Sequence, residues 1–146
     1  MTAELCVLGA GNWGTTLAAL AAQAGRRVTL WTRDEGQCAE IREQHTNARA
    51  VPGLALPPSL HATSDLGEAA RGAEVILIVI PAQAFREVAR ALGEVLAPEQ
   101  LVLHAAKGIE TTSLRRMTEI LAEETCALQT GVVSGPNIAG EIAEGK

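Results

Sequence analysis

Leu5-Cys6-Val7-Leu8, then Gly9-Ala10-Gly11-Asn12-Trp13-Gly14, then Thr15-Thr16-Leu17-Ala18-Ala19-Leu20-Ala21-Ala22 is the stretch that decides the fold. Its four apolar residues read as a buried strand. Three glycines follow at G-x-G-x-x-G spacing, and the small residues after them read as a helix. Each glycine has its own task. Gly9 permits a tight turn out of the strand, Gly11 lets a pyrophosphate approach the backbone, and Gly14 lets the helix pack close on the sheet. The helix N-terminus then presents N–H groups and partial positive charge to a phosphate. The glycine spacing alone would serve equally as a turn. Between a strand and a helix, with Val28-Thr29-Leu30-Trp31 as a second strand about twenty residues on, it reads as a dinucleotide-binding turn.

The rest of the chain continues the alternation. Gly25 is placed to stop the first helix. Asp34 with Gln37 three residues on resembles a capping box, and Cys38, Ile41 and His45 mark one face of a short helix. Residues 47–58, with Pro52-Gly53 and Pro57-Pro58, read as a loop. A short strand is expected over 60–63, then a helical turn or two opened by Asp65 and closed by Gly72. Residues 75–80 (Val-Ile-Leu-Ile-Val-Ile) are apolar without alternation, as in a strand buried on both faces, and Pro81 ends them. Phe85, Val88, Ala89, Leu92, Val95 and Leu96 recur with the helical period. A strand over 101–105 runs into Ala106-Lys107-Gly108-Ile109, and Leu114, Met117, Ile120 and Leu121 mark a further helix. Gly131-Val132-Val133 reads as a last strand, with Pro136 at the first position of a helix through Ile142.

Such a sequence predicts an α/β protein: a Rossmann-like doubly wound, mainly parallel sheet with helices on both faces. Ligands then bind outside the carboxyl ends of the strands. That directs attention to residues 9–14 and 32–34, to Pro81 onward, to Lys107, and to Gly135-Pro136-Asn137.

Bulk properties narrow the function. At 146 residues the chain fits one domain with a real core. Phe85, Trp13 and Trp31 are its only aromatic residues, so that core must be aliphatic. No apolar run approaches the ~18 residues of a membrane span. The N-terminus shows no basic segment followed by a long apolar one, so no signal peptide is expected. Cys6, Cys38 and Cys126 are dispersed, with no C-x-x-C, which argues against a disulfide framework or a metal site and suits a reduced cytoplasm. A net charge of −5 argues against nucleic acid or an anionic membrane as partner, though not against a phosphorylated small molecule.

Several candidate residues carry two readings. Arg33 lies where the second strand ends, and no carboxylate directly follows Trp31. A guanidinium there can grip a 2′-phosphate, which favours NADPH over NADH; equally, Arg33 is a solvated surface residue and Asp34 only a helix cap. Lys107 can hydrogen-bond a carbonyl, a hydroxyl or a nicotinamide ribose, or it is a snorkelling surface lysine. Gly135-Pro136-Asn137 reads by itself as a strand-to-helix turn. His45, His61 and His104 lack ligand spacing, and His104 is expected in the core or at an edge.

Taken together, certain motifs resemble a known family. They are Gly9-Ala-Gly-Asn-Trp-Gly-Thr-Thr-Leu-Ala18, Leu30-Trp31-Thr32-Arg33, Pro52-Gly53 with Leu56-Pro57, Ala62-Thr63-Ser64-Asp65-Leu66, Lys107-Gly108-Ile109-Glu110 and Ser134-Gly-Pro-Asn-Ile-Ala139-Gly-Glu141. In this order the chain resembles the N-terminal half of NAD(P)-dependent glycerol-3-phosphate dehydrogenase. The resemblance implies reversible hydride transfer between NAD(P)H and dihydroxyacetone phosphate, giving sn-glycerol 3-phosphate for glycerophospholipid synthesis. It implies cofactor contacts by Gly9, Gly11, Asn12, Trp13 and Gly14 at the turn, by Arg33 on the adenosine side and by Ala139 at the nicotinamide end. Lys107 would meet both cofactor and substrate and act in catalysis, and Gly135 and Asn137 would contact the substrate.

Family members continue into an all-helical domain with a second catalytic lysine and the main substrate-phosphate contacts. On this resemblance, residues 1–146 are the NAD(P)-binding domain of a longer enzyme, incomplete and inactive alone, with a homodimer expected of the full-length protein. Two rivals stand beside this reading. One is a free-standing NAD(P)-sensing regulatory module. The other is the nucleotide domain of a different two-domain hydroxy-acid dehydrogenase, which would lack the pairing of Lys107-Gly108-Ile109-Glu110 with Gly135-Pro136-Asn137.

Overall fold

The computed structural model describes residues 4–145. Strands and helices alternate along the chain: β1 (Glu4–Leu8), α1 (Asn12–Gln23), β2 (Arg27–Trp31), α2 (Glu35–Gln44), β3 (His61–Thr63), α3 (Leu66–Ala70), β4 (Val75–Ile78), α4 (Ala82–Gly93), β5 (Leu101–His104), α5 (Met117–Glu124), β6 (Gln129–Val132) and α6 (Ala139–Ala143). The six strands form one sheet in the order β3-β2-β1-β4-β5-β6, and all five pairings are parallel. The chain therefore begins at the centre, winds to one edge, returns to pair β4 with β1, and winds the other way. Where the direction reverses, the connections leave β1 and β4 on opposite faces and a crevice opens above their carboxyl ends.

Alternation along the strands divides the core in two. Cys6 and Leu8 of β1 join Ile76, Ile78 and Val102 on the face covered by α3, α4 and α5. Val7 joins Val28 and Leu30 on the face covered by α1 and α2. The second layer is filled by Ala18, Ala19 and Ala22, so α1 approaches the sheet closely. α4 supplies the bulkiest packing. Its Phe85, Val88 and Leu92 are buried, each contributing about 1.5–3 kcal/mol relative to an exposed side chain.

Local signals set most boundaries. Gly25 adopts a φ of +80° just past α1, and the N–H groups of Gly25 and Arg26 bond the carbonyls of Ala22 and Ala21. The carboxylates of Asp34 and Asp65 accept the backbone N–H of Gln37 and Glu68, capping α2 and α3. The capping box expected at Asp34 is only half formed, because the Gln37 side chain turns into the protein interior.

Tertiary context moves other boundaries. β4 ends at Ile78, two residues before the apolar run ends; Val79 keeps one ladder bond to Leu8 (2.8 Å), then turns with Ile80 toward the crevice. Leu114, expected on a helix, lies before α5 with a φ of +58° and is 71% exposed. Its N–H instead closes on the Glu110 carbonyl at 2.8 Å, and Ile109 bridges Arg116, making residues 109–116 a self-contained loop. Val95 falls beyond α4 and is exposed, whereas Leu96 is buried. Pro136 does not begin α6; Ile138 is the capping residue and Ala139 the first helical one. Among the described residues no helix is long and apolar enough to cross a membrane.

Candidate functional site

The crevice floor is the turn between β1 and α1. Gly9 adopts a φ of +118°, the left-handed side that favours glycine, and its N–H continues the ladder to Trp31 at 2.9 Å. A Cβ on Gly9 would stand 2.2 Å from the Val79 carbonyl oxygen, and one on Gly14 would stand 1.9 Å from the Gly9 oxygen. Gly11 differs: a Cβ there would meet nothing within 4 Å. Two glycines thus serve close backbone packing, and the third leaves open space over the mouth of α1. Gly11 is also the N-cap of α1, offers no side-chain cap, and no acidic residue occupies the first turn. The N–H groups there lack intrahelical acceptors and carry the positive end of the helix dipole. This cradle fits a pyrophosphate; the dinucleotide would supply hydride chemistry and these residues its anchorage.

A buried polar network holds the turn. The Ala10 carbonyl accepts from Gln37 Nε2 (2.9 Å) and Asn47 Nδ2 (3.1 Å). Gln37 Oε1 accepts from the Thr32 hydroxyl at 2.8 Å, and Asn47 Nδ2 also donates to the Thr15 hydroxyl at 2.8 Å. Asn47 is fully buried. Sequence reasoning missed both residues, since Gln37 fits a capping template and Asn47 opens a proline-rich loop. Asn47 lies on no periodic apolar face, while Gln37 is a polar residue on the buried face of α2 beside Cys38 and Ile41. The one available signal was that loops rarely bury an amide side chain unless it satisfies backbone groups.

Two adjoining hollows share Gly11, Asn12, Val79, Ile80 and Pro81 as their common floor. The first, about 690 Å³, brings Asn12, Trp13 and Gly14 together with Lys107, Gly135, Asn137 and Ala139. Lys107 sits two residues past the last β5 ladder bond, from Ala105 N–H to the Ile78 carbonyl (2.9 Å). It is exposed and followed by Gly108 at a φ of +95°. The Asn137 N–H bonds the Gly135 carbonyl at 2.9 Å, folding the Gly135-Pro136-Asn137 turn back on itself.

The second hollow, about 790 Å³, extends from Gly9 and Gly11 to Arg33 and to Arg49. Arg33 reaches Glu87 on α4 (3.2 Å), an exposed pair of small energetic weight that leaves the guanidinium free to take another partner. Arg49, which no sequence motif singles out, pairs with Asp34 Oδ2 at 3.2 Å. Asp34 thus has one oxygen on the α2 cap and the other on Arg49, so each of the two guanidiniums at this rim is paired with one carboxylate, Arg33 with Glu87 and Arg49 with Asp34.

His104, by contrast, is a core residue. It is buried, packs edge-on against Phe85 with ring centroids 5.6 Å apart, and burial pushes its imidazole below the usual histidine range. The candidate residues expected from the sequence thus divide between the two hollows. Trp13, Gly14, Lys107, Gly135, Asn137 and Ala139 line the first, Gly9 and Arg33 line the second, and Gly11 and Asn12 border both.

This geometry accords with what the chain is similar to. Residues 4–146 match the family model described as NAD-dependent glycerol-3-phosphate dehydrogenase N-terminus. The chain belongs to the glycerol-3-phosphate dehydrogenase family. A relative from Rhodopseudomonas palustris, named glycerol-3-phosphate dehydrogenase [NAD(P)+], is 46% identical over 142 residues, covering 97% of this chain and 43% of that protein. Another from Lysinibacillus sphaericus, of the same name, is 44% identical and is covered over 42% of its length. The chain thus spans less than half the length of these glycerol-3-phosphate dehydrogenases. Among solved structures, the glycerol-3-phosphate dehydrogenase of Coxiella burnetii superposes with a TM-score of 0.90 at 33% identity, covering 98% of this chain and 44% of that one. A UDP-glucose dehydrogenase from Pyrobaculum islandicum shares the fold alone, with a TM-score of 0.70 at 22% identity. The α/β fold and the family expected from the motifs are both borne out.

Proposed function

We propose that this chain is the NAD(P)-binding part of an enzyme that moves hydride between NAD(P)H and dihydroxyacetone phosphate, forming sn-glycerol 3-phosphate. The observation that carries the reading is the single hollow in which the phosphate-type turn faces Lys107, Gly135 and Asn137. A dinucleotide anchored at α1 and running along Trp13 toward Ala139 would bring its nicotinamide end beside those polar groups. In this reading Lys107 donates hydrogen bonds to the substrate oxygen and the cofactor ribose, stabilising charge as the ketone is reduced. Gly135 and Asn137, which line the same hollow, orient the substrate. A group that gives up a proton and a grip on the substrate phosphate would come from the part of the family enzyme outside the matched half.

The reading extends to cofactor choice, with NADPH bound in preference to NADH. Arg33 and Arg49 both border the adenosine end; Asp34 is occupied by the α2 cap and by Arg49, and Glu87 pairs with Arg33 only at the exposed surface. A 2′-phosphate would gain charge-assisted hydrogen bonds there. The partners proposed are thus a small phosphorylated substrate, not nucleic acid, in the cytoplasm, with a homodimer formed by the full-length enzyme.

Fluorescence titration with NADPH and NADH tests the reading. The chain should bind both, and Arg33→Ala should lower the NADPH-to-NADH affinity ratio by roughly tenfold, the equivalent of one charge-assisted contact. Failure to bind either cofactor would refute the proposed function. An unchanged ratio in Arg33→Ala would remove Arg33 as the selecting group.

A further inference from the structure

Lys107 stands on a turn gripped from one side by α4. Gln83 Nε2 donates to the Ile109 carbonyl at 3.0 Å, while its Oε1 accepts from the Thr111 N–H (3.1 Å) and hydroxyl (2.9 Å). One helical turn on, Arg86 forks onto Glu110: Nε lies 2.9 Å from Oε1 and Nη2 lies 2.9 Å from Oε2. Three successive residues, 109 to 111, are therefore fixed by two α4 side chains. Glu110 is buried and also accepts the Ser113 hydroxyl. Its backbone N–H bonds the Arg115 carbonyl and its carbonyl accepts the Leu114 N–H, so it is fastened through the main chain as well.

Two functions are separable within this ion-pair cluster. Arg86 Nη1 bonds Glu123 and Glu124, and Arg90 bonds Glu124, which joins α4 to α5 directly. That seam does not require Glu110 or Gln83. What those two add is a fixed position for the loop entering at Lys107 and Gly108. Lys107 itself makes no ion pair or hydrogen bond among the described residues. Its direction is left to the left-handed bend at Gly108 and to the anchorage immediately after it.

We propose that Glu110 and Gln83, with Arg86 behind Glu110, are positioning residues that hold Lys107 toward the cofactor cleft. The proposal rests on the assignment of Lys107 to that cleft under the function given above. The chemistry suits the task. A bidentate guanidinium–carboxylate pair fixes both direction and distance, which a lysine in place of Arg86 would not do. Held this way, Lys107 reaches the ligand without first ordering its loop, so less of its binding energy is lost to that ordering.

The test is a set of double-variant cycles read by NADPH affinity, with melting temperature measured on every variant. Lys107→Ala should weaken NADPH about tenfold or more, as expected for a charge-assisted contact. Glu110→Gln and Gln83→Ala should each weaken it by roughly threefold or more, a coupling usual for residues in one contact network. In a Lys107→Ala background both should have no further effect, because the group they position is gone. Arg86→Lys, which keeps the charge but loses the fork, should behave as Glu110→Gln does. Should Glu110→Gln fail to fold, Gln83→Ala carries the same test, since Gln83 is exposed on the helix. Losses that persist undiminished in the Lys107→Ala background, or single variants that bind as the parent does, would overturn the positioning role. If Lys107→Ala leaves affinity intact, the assignment of Lys107 to the cleft falls, and the positioning role falls with it.

Discussion

Gly11→Val and Gly14→Ala, three residues apart on the same turn, should fail in opposite ways. At Gly14 an added Cβ would lie 1.9 Å from the Gly9 carbonyl oxygen, against the 3.4 Å at which ordinary contact begins. The shortfall of roughly 1.5 Å falls between two backbone segments, so no side chain can rotate to relieve it. The Gly9 side cannot retreat either, because its N–H is bonded to Trp31 and its own Cβ position is occupied by the Val79 carbonyl. Overpacking of this kind costs about 1–3 kcal/mol, and the rigid surroundings place this case near about 3 kcal/mol. The melting temperature should fall by roughly 10 °C. Gly11 has a φ of −75° and a ψ of −173°, extended backbone that valine adopts readily, and open space around its Cβ position. There the reduced freedom of the unfolded chain, about 0.4–1 kcal/mol, offsets a similar loss of N-cap preference, so stability should stay level. Its side chain nevertheless fills the cradle. Losing two charge-assisted phosphate contacts would weaken NADPH by more than about a hundredfold. Thermal melts and fluorescence titration of both variants decide the matter. A Gly11→Val protein that melts normally and binds normally would refute the assignment of the turn, and a Gly14→Ala protein that melts normally would refute the packing argument.

Two further outcomes follow from the charged and sulfur-bearing groups. Hydrogen bonds from Arg90 and Arg86 lower the Glu124 carboxyl from 4.5 to about 2, and those from Arg86 and Ser113 lower Glu110. Because the folded values lie below the unfolded one, their stabilisation is complete above pH 4.5 and drains away as pH falls toward 2. Urea midpoints should therefore drop steeply across that window, and Arg86→Gln should flatten the slope; equal slopes would show that the cluster does not drive acid sensitivity. Burial pushes the Cys6 thiol up to about 12, and burial with the nearby Glu35 charge raises Cys38, whereas Cys126 is exposed. Mass spectrometry after alkylation of the native protein should find Cys126 modified alone, and labelling of Cys6 would contradict the closed core.

Much of this was legible in the sequence because it follows from local covalent facts. The Gly9-Ala10-Gly11-Asn12-Trp13-Gly14 turn, the unbroken apolar run of β4 and the helical period from Phe85 to Leu92 each specify their own geometry, and their alternation specifies a parallel sheet. Positions just beyond the strand ends located Lys107, Gly135 and Asn137 for the same reason, since chain order alone places them at one end of the sheet. Tertiary structure alone decided what those residues touch. Nothing local makes Leu114 leave the helical stripe; the closure of residues 109–116 around Glu110 does. Arg49 reaches Asp34 and Asn47 reaches the Ala10 carbonyl because the loop after α2 folds back across the turn, while Gln37 reaches the same carbonyl from α2 itself. Arg86 meets Glu110 across 24 residues of sequence. Periodicity records which face of an element is buried, but a polar side chain's partner is chosen by whichever unsatisfied group the folded chain brings within hydrogen-bonding reach.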